Sequence, residues 1–92
     1  NDMQHVWVLT LLEYMQGQHT GFDCDTKLIA IFDKKPDLAT VSEHLKGLSN
    51  EMGEAITQVH GLLESGQLDV GLYGDTTYEL SVHDVVQVNK RN

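Results

Sequence analysis

One stretch, Ser49 to Val82, restricts the folds open to this chain more than any other. Within it Met52, Ile56, Val59 and Leu63 recur at about one-turn spacing, which predicts a helix with one apolar face. Ser65-Gly66 stops that helix, with glycine where a C-terminus takes a left-handed residue. Leu68, Val70 and Leu72 then alternate with polar or small residues, and Tyr78, Leu80 and Val82 do the same, predicting two strands. Gly74-Asp75 suits the primed turn whose twist matches a hairpin. Gly71 predicts a bulge or a close backbone approach.

Upstream, Met3 to Gln16 carries Val8, Leu11, Leu12 and Met15 in the i, i+3, i+4, i+7 pattern of a helix face, widened by Trp7 and Tyr14. Gly17 ends it, and 18–21 is a polar connection. Asp23 or Asp25 can cap a short helix whose Leu28, Ile31 and Phe32 face inward. The run Leu28 to Phe32 also suits a buried strand; periodicity does not decide over so few residues, and the caps favour the helix. Lys34-Lys35-Pro36-Asp37 is a clear break. Thr40 to Glu43 reads as a capping box, with Val41, Leu45 and Leu48 on the buried face of the helix that follows. Gly47 and Ser49-Asn50 turn the chain into the next helix, whose Glu51 and Glu54 suit its positive dipole end. Residues 83–92 read as a short strand or loop and a frayed tail.

The expected fold is therefore mainly α with a C-terminal β-hairpin: a winged helix-turn-helix in one domain spanning 1–92. Residues 1–39 hold the first helix and an extra helix, 40–65 the helix-turn-helix, 66–82 the wing and 83–92 the tail. Ninety-two residues suffice for one modest core and no separate catalytic domain. An apolar fraction of 40% is that of a globular chain. No apolar run approaches the roughly 18 residues of a membrane span, and no signal peptide is apparent. Asn1 in place of methionine suggests a domain of something longer.

Catalytic and metal chemistry find little support. His5, His19, His44, His60 and His83 fall on different elements without the i, i+4 spacing of a helical zinc site. His19, Asp23, Cys24 and Asp25 are more simply a connector and a helix cap. Cys24 is the single cysteine, so no intramolecular disulfide forms, and its aspartate neighbours disfavour the thiolate. No phosphate-binding glycine loop or dinucleotide fingerprint appears. The expectation is no enzyme, no metal and no cofactor.

Charge decides between the two binding functions of such a fold. The formal net charge is −8, and no Lys or Arg occurs from Gly47 to Asn89. The would-be recognition helix and wing therefore offer phosphate no anchor, and DNA binding through that helix is not expected. Glu64, Asp69, Asp75 and Glu79 form an acidic rim able to receive a basic or amphipathic helical segment of another protein, with Tyr73 and Tyr78 as anchors. The alternatives are a DNA-binding winged helix, or a dimerisation or scaffold domain paired through Trp7 and Tyr14.

From Leu38 to Ser81 the sequence resembles the C-terminal winged-helix domain of the replication protein A middle subunit. The likeness is carried by His44-Leu45-Lys46-Gly47-Leu48-Ser49, by Ala55 to Leu63, and by Leu63-Glu64-Ser65-Gly66-Gln67-Leu68 with Asp75 and Tyr78. Asp69-Val70-Gly71 departs from that family's strand, its acidic wing is reduced to Asp75, and Asp23 to Asp37 looks like an insertion. The C-terminal winged helices of minichromosome maintenance helicases look similar at the same level. The resemblance implies a module that recruits DNA replication and repair partners, nuclear if so and otherwise intracellular.

Overall fold

A computed structural model describes residues 4–17, 21–71 and 75–88, with the side chains of 15–17 and 21–23 excepted. Along the chain run β1 (Gln4–Gly17), β2 (Gly21–Phe32), α1 (Leu38–Ser42), α2 (Met52–Ser65), β3 (Gln67–Val70) and β4 (Thr76–Val85). The strands form one four-stranded antiparallel sheet in the order β2-β1-β4-β3. Two hairpins thus lie side by side, with the first and last strands paired at the centre. The helices cover one face: α2 packs on β3 and β4 and against α1.

This corrects the winged-helix expectation. The segment read as the first helix is the central strand β1, and the one read as an extra helix is the edge strand β2. The chain is a sheet with two helices on it, and the helix-turn-helix is reduced to a five-residue α1 and a 14-residue α2. What survives is the junction read first: α2 ends at Gly66 in the left-handed region (φ 84°), and β3 and β4 form an antiparallel pair. The Gly66 amide closes the last turn on Leu62 O at 2.8 Å, and its carbonyl accepts from Leu80 N–H at 2.9 Å. One residue therefore both ends the helix and starts the sheet pairing. Gly71 is also left-handed (φ 95°), whereas the turn expected at Gly74-Asp75 lies largely outside the described residues.

Strand alternation explains where the core sits. Trp7, Leu9 and Leu11 of β1 lie opposite Val82, Leu80 and Tyr78 of β4 and face the helices. Leu68 and Val70 of β3 continue that layer. From above come Val41, Leu45, Val59 and Leu62. The expected buried residues Val41 and Leu45 are in place, but Leu9, at 0% exposure, is the centre of the sheet's contribution. In α2 the inward line runs through Val59 and Leu62, leaving Met52 and Ile56 of the expected stripe exposed. Phe32 stands edge-on to His44, ring centroids 5.6 Å apart, and Lys35 Nζ lies 5.7 Å from the Trp7 ring centroid. The 33–46 segment thereby closes over the β1–β2 end of the core.

The helix starts also differ from the capping-box reading. Asp37, not Thr40, caps α1, its carboxylate accepting from Thr40 N–H at 2.8 Å. Thr40 sits inside the helix. Hydrogen bonds from Thr40, its side chain foremost and its amide next, hold the Asp37 carboxyl below its ordinary value of 3.8. A depressed folded-state pKa stabilises the cap above the unfolded value and loses that contribution as pH falls through the folded one. The Asp37 carboxyl and Thr40 amide resonances should therefore titrate together with a midpoint below 3.8, and Asp37→Asn should abolish that titration while keeping the cap. A midpoint at or above the ordinary value would show that the cap does not form.

Candidate functional site

Ser49 organises the approach to α2. Glu51, the N-cap residue, makes no side-chain cap bond. Instead Ser49 Oγ accepts from Glu51 N–H at 3.2 Å and donates to Glu54 Oε2 at 2.7 Å. The Ser49 amide donates to Gln58 Oε1 at 2.9 Å. These bonds pin the loop to the first two turns of α2 and fix the Glu54 carboxylate, which complements the helix dipole.

Beside that turn, α1 and α2 leave an apolar groove of about 350 Å³ lined by Leu38, Ala39, Leu48, Met52, Ile56 and Val59. Met52 is 78% exposed and Ile56 51%. Apolar side chains of this size standing in water beside a depression mark a contact surface more strongly than scattered exposed leucines do. The segment that forms it is acidic: residues 37–66 contain Asp37, Glu43, Glu51, Glu54 and Glu64 against Lys46 alone. Two shallower depressions continue along the outer side of α2, one between Glu51 and Glu54, the other between His60 and Glu64. Gly53 and Gly61 border them, with nothing within 4 Å of where a Cβ would stand. The outer surface of α2 is thus low, apolar at one end and lined with carboxylates.

Of the four carboxylates expected to form the acidic rim, Asp69 and Glu79 share one face of the sheet while Glu64 stands on the helical layer. Glu64 is exposed on the last turn of α2, 2.7 Å from His60 Nδ1, in the helical layer. Asp69 and Glu79 belong to the opposite, helix-free face of the sheet, where Asp69 accepts from Thr77 Oγ1 at 2.8 Å. Asp75 is exposed just before β4, and its carbonyl accepts from Tyr14 N–H at 2.8 Å. Tyr73 lies outside the described residues. Tyr78, read as an anchor for a partner, is 2% exposed in the core, and its hydroxyl accepts from Lys46 N–H at 2.9 Å.

The residues the sequence reading passed over are Met52 and Ile56, assigned there to the core. Their signal was the width of the apolar arc on α2: Met52 and Ile56 on one line, Val59 and Leu62 on another, more than packing on a single sheet requires. Among the described residues, no group of three His, Cys, Asp or Glu side chains is placed to hold a metal ion. Nor is any helix of the described residues long and apolar enough to cross a membrane. No protein-family model matches the chain, and comparison with curated proteins and with solved structures finds no match.

Proposed function

We propose that the chain is a protein-interaction module whose acidic docking surface lies on the helical layer and takes a cationic, amphipathic helical segment of another protein. The observation that supports this reading is the apolar groove with Met52 and Ile56 exposed on a helix whose N-terminal end carries Glu51 and Glu54. The apolar face of an incoming helix covers Met52 and Ile56, while lysines or arginines on its flanks meet Glu51 and Glu54. Charge speeds and orients the encounter, and the burial of apolar surface holds the complex. Partners from DNA replication or repair, which the sequence resemblance implies, are one source of such segments. The nucleic-acid alternative has less behind it, since α2 contains no lysine or arginine with which to meet phosphate.

Titration of ¹⁵N-labelled protein with a synthetic leucine-lysine amphipathic helix tests the assignment. Amide shifts should concentrate on residues 48–57, and the affinity should fall as salt is raised from low to physiological levels. Ile56→Lys, at a site already 51% exposed, should weaken binding at least about tenfold without unfolding the domain. Shifts confined to the β3–β4 hairpin, or none at millimolar peptide, would remove the groove from consideration.

A further inference from the structure

The outer edge of β2 is the longest unpaired strand edge among the described residues. β2 holds 12 residues against four in β3, the other edge strand, and pairs on one side only, with β1. The N–H and C=O of every second residue therefore point away from the sheet, a template for a further strand. Cys24, Asp25, Thr26, Lys27 and Leu28 are all exposed. The charges along this edge are unevenly matched. Glu13 and Asp25 stand directly opposite each other on the β1–β2 ladder, and like charges so placed repel. Lys27, the one basic residue of β2, lies with Nζ 3.2 Å from Glu13 Oε1, which leaves no basic residue of the strand for Asp25.

We propose that two copies of this chain join edge to edge, β2 antiparallel to β2 about a two-fold axis through Thr26, merging the two four-stranded sheets into one. Symmetry, charge and the bulge each narrow the register. A two-fold axis normal to the sheet keeps every side chain on its own face, so it passes through a residue and never between two. An axis on Asp25 or on Lys27 sets that charge against its own copy, and one on Cys24 sets Asp23 against Asp25. An axis on Leu28 runs the ladder onto the bulge at Ile29. The Thr26 axis sets Asp25 of each copy across from Lys27 of the other, twice by symmetry, with no like charges across from each other. Each ammonium then lies between Glu13 of its own chain and Asp25 of the second.

The same axis lies at the middle of the regular stretch from Cys24 to Leu28. Leu28 falls across from Cys24 of the second copy, and the bulge begins just beyond. An edge lysine and a bulge ordinarily keep other strands away. Here they reject the neighbouring registers and admit this one, so the charges that guard the edge also select its occupant. A second copy carries the complementary pattern on the same strand, in the reverse order that antiparallel pairing requires. Both helical layers stay on one side of the joined sheet. No residue of β2 lines the α1–α2 groove, so the edge is a separate site and does not rest on the groove reading.

Sedimentation of the 92-residue chain from about 1 to 200 μM, a range that brackets weak and moderate dimers, should give twice the 10.3 kDa mass at its upper end. Asp25→Lys and Lys27→Asp should each raise the dimer dissociation constant at least about tenfold, with an unchanged far-ultraviolet circular dichroism spectrum. The double exchange should bring it back to within about threefold, because the swapped charges meet again in the same register. Cross-linking reads the register directly. With Cys24→Ser as background, Thr26→Cys should form a disulfide-linked dimer under mild oxidation, since residues directly across an antiparallel pair lie within disulfide reach. Leu28→Cys in that background should not, being two residues from the axis. If an exchanged variant does not fold, the two cross-linking variants decide. A monomer throughout the range overturns the proposal, as does a dimer indifferent to Asp25→Lys, one that the double exchange does not restore, or a cross-link at Leu28→Cys in place of Thr26→Cys.

Discussion

Leu9→Ala should destabilise the domain by about 3 kcal/mol, within the range for emptying a fully buried leucine site. For a chain of this length that lowers the melting temperature by roughly 12–24 °C. Leu9 is 0% exposed, lies opposite Leu80 and Ala30 on its two neighbouring strands, and meets the helices from the centre of the sheet. No neighbour can slide into the space, because strand pairing on both sides fixes the backbone there. Thermal unfolding followed by circular dichroism checks the value. The control is Met52→Ala, at a side chain 78% exposed on α2, which should change stability by no more than about 0.5 kcal/mol. If the two effects were reversed, the first segment would be a helix with Met52 in its core after all.

Tyr78→Ala should be as damaging, about 3–5 kcal/mol, because it removes a buried aromatic side chain from beneath both helices. Tyr78→Phe isolates the hydroxyl. It keeps the ring but leaves the Lys46 amide without the acceptor it holds at 2.9 Å, which should cost about 1 kcal/mol. Denaturant unfolding of the two variants reads both numbers. A surface anchor would behave differently: Tyr78→Ala would then weaken binding to a partner and leave the unfolding midpoint unmoved. The hydrogen bond also has an architectural sense, since it ties the turn after α1 to a central strand 32 residues on.

These two residues show where the amino-acid pattern was legible and where it was not. Tyr78 was placed correctly on a strand, but its side was not evident, because a tyrosine suits both a core and a docking surface. Leu9 was missed because β1 lacks the polar face that makes a strand recognisable. Trp7, Leu9 and Leu11 face the helices while Val6, Val8 and Leu12 face the other way, so the run is apolar on both sides and alternation disappears. The β-branched Val6, Val8 and Thr10 on alternate positions were the available clue. In β2 a bulge hid the strand. The register shifts between Leu9 and Thr10, so their partners Ala30 and Leu28 are separated by the extra residue Ile29. That insertion puts Leu28 and Ile31, three apart, on the same face, which is the spacing of a helix.

The chain by itself determined the features that depend on neighbours in sequence. These are a helix over the 52–65 region, its stop at Gly66, the strands that follow, and the surplus of carboxylates over basic residues. Each follows from one-turn periodicity, the left-handed freedom of glycine, strand alternation or a count of charges, and none needs a distant partner. Tertiary structure alone decided that the first and last strands lie side by side, that Tyr78 is core while Met52 and Ile56 are surface, and that Glu64 and Asp69 are on opposite layers. The physical reason is that an apolar side chain is drawn out of water without regard to direction. Only the pairing of β1 with β4 sets which side of each strand meets a helix and which is left facing out.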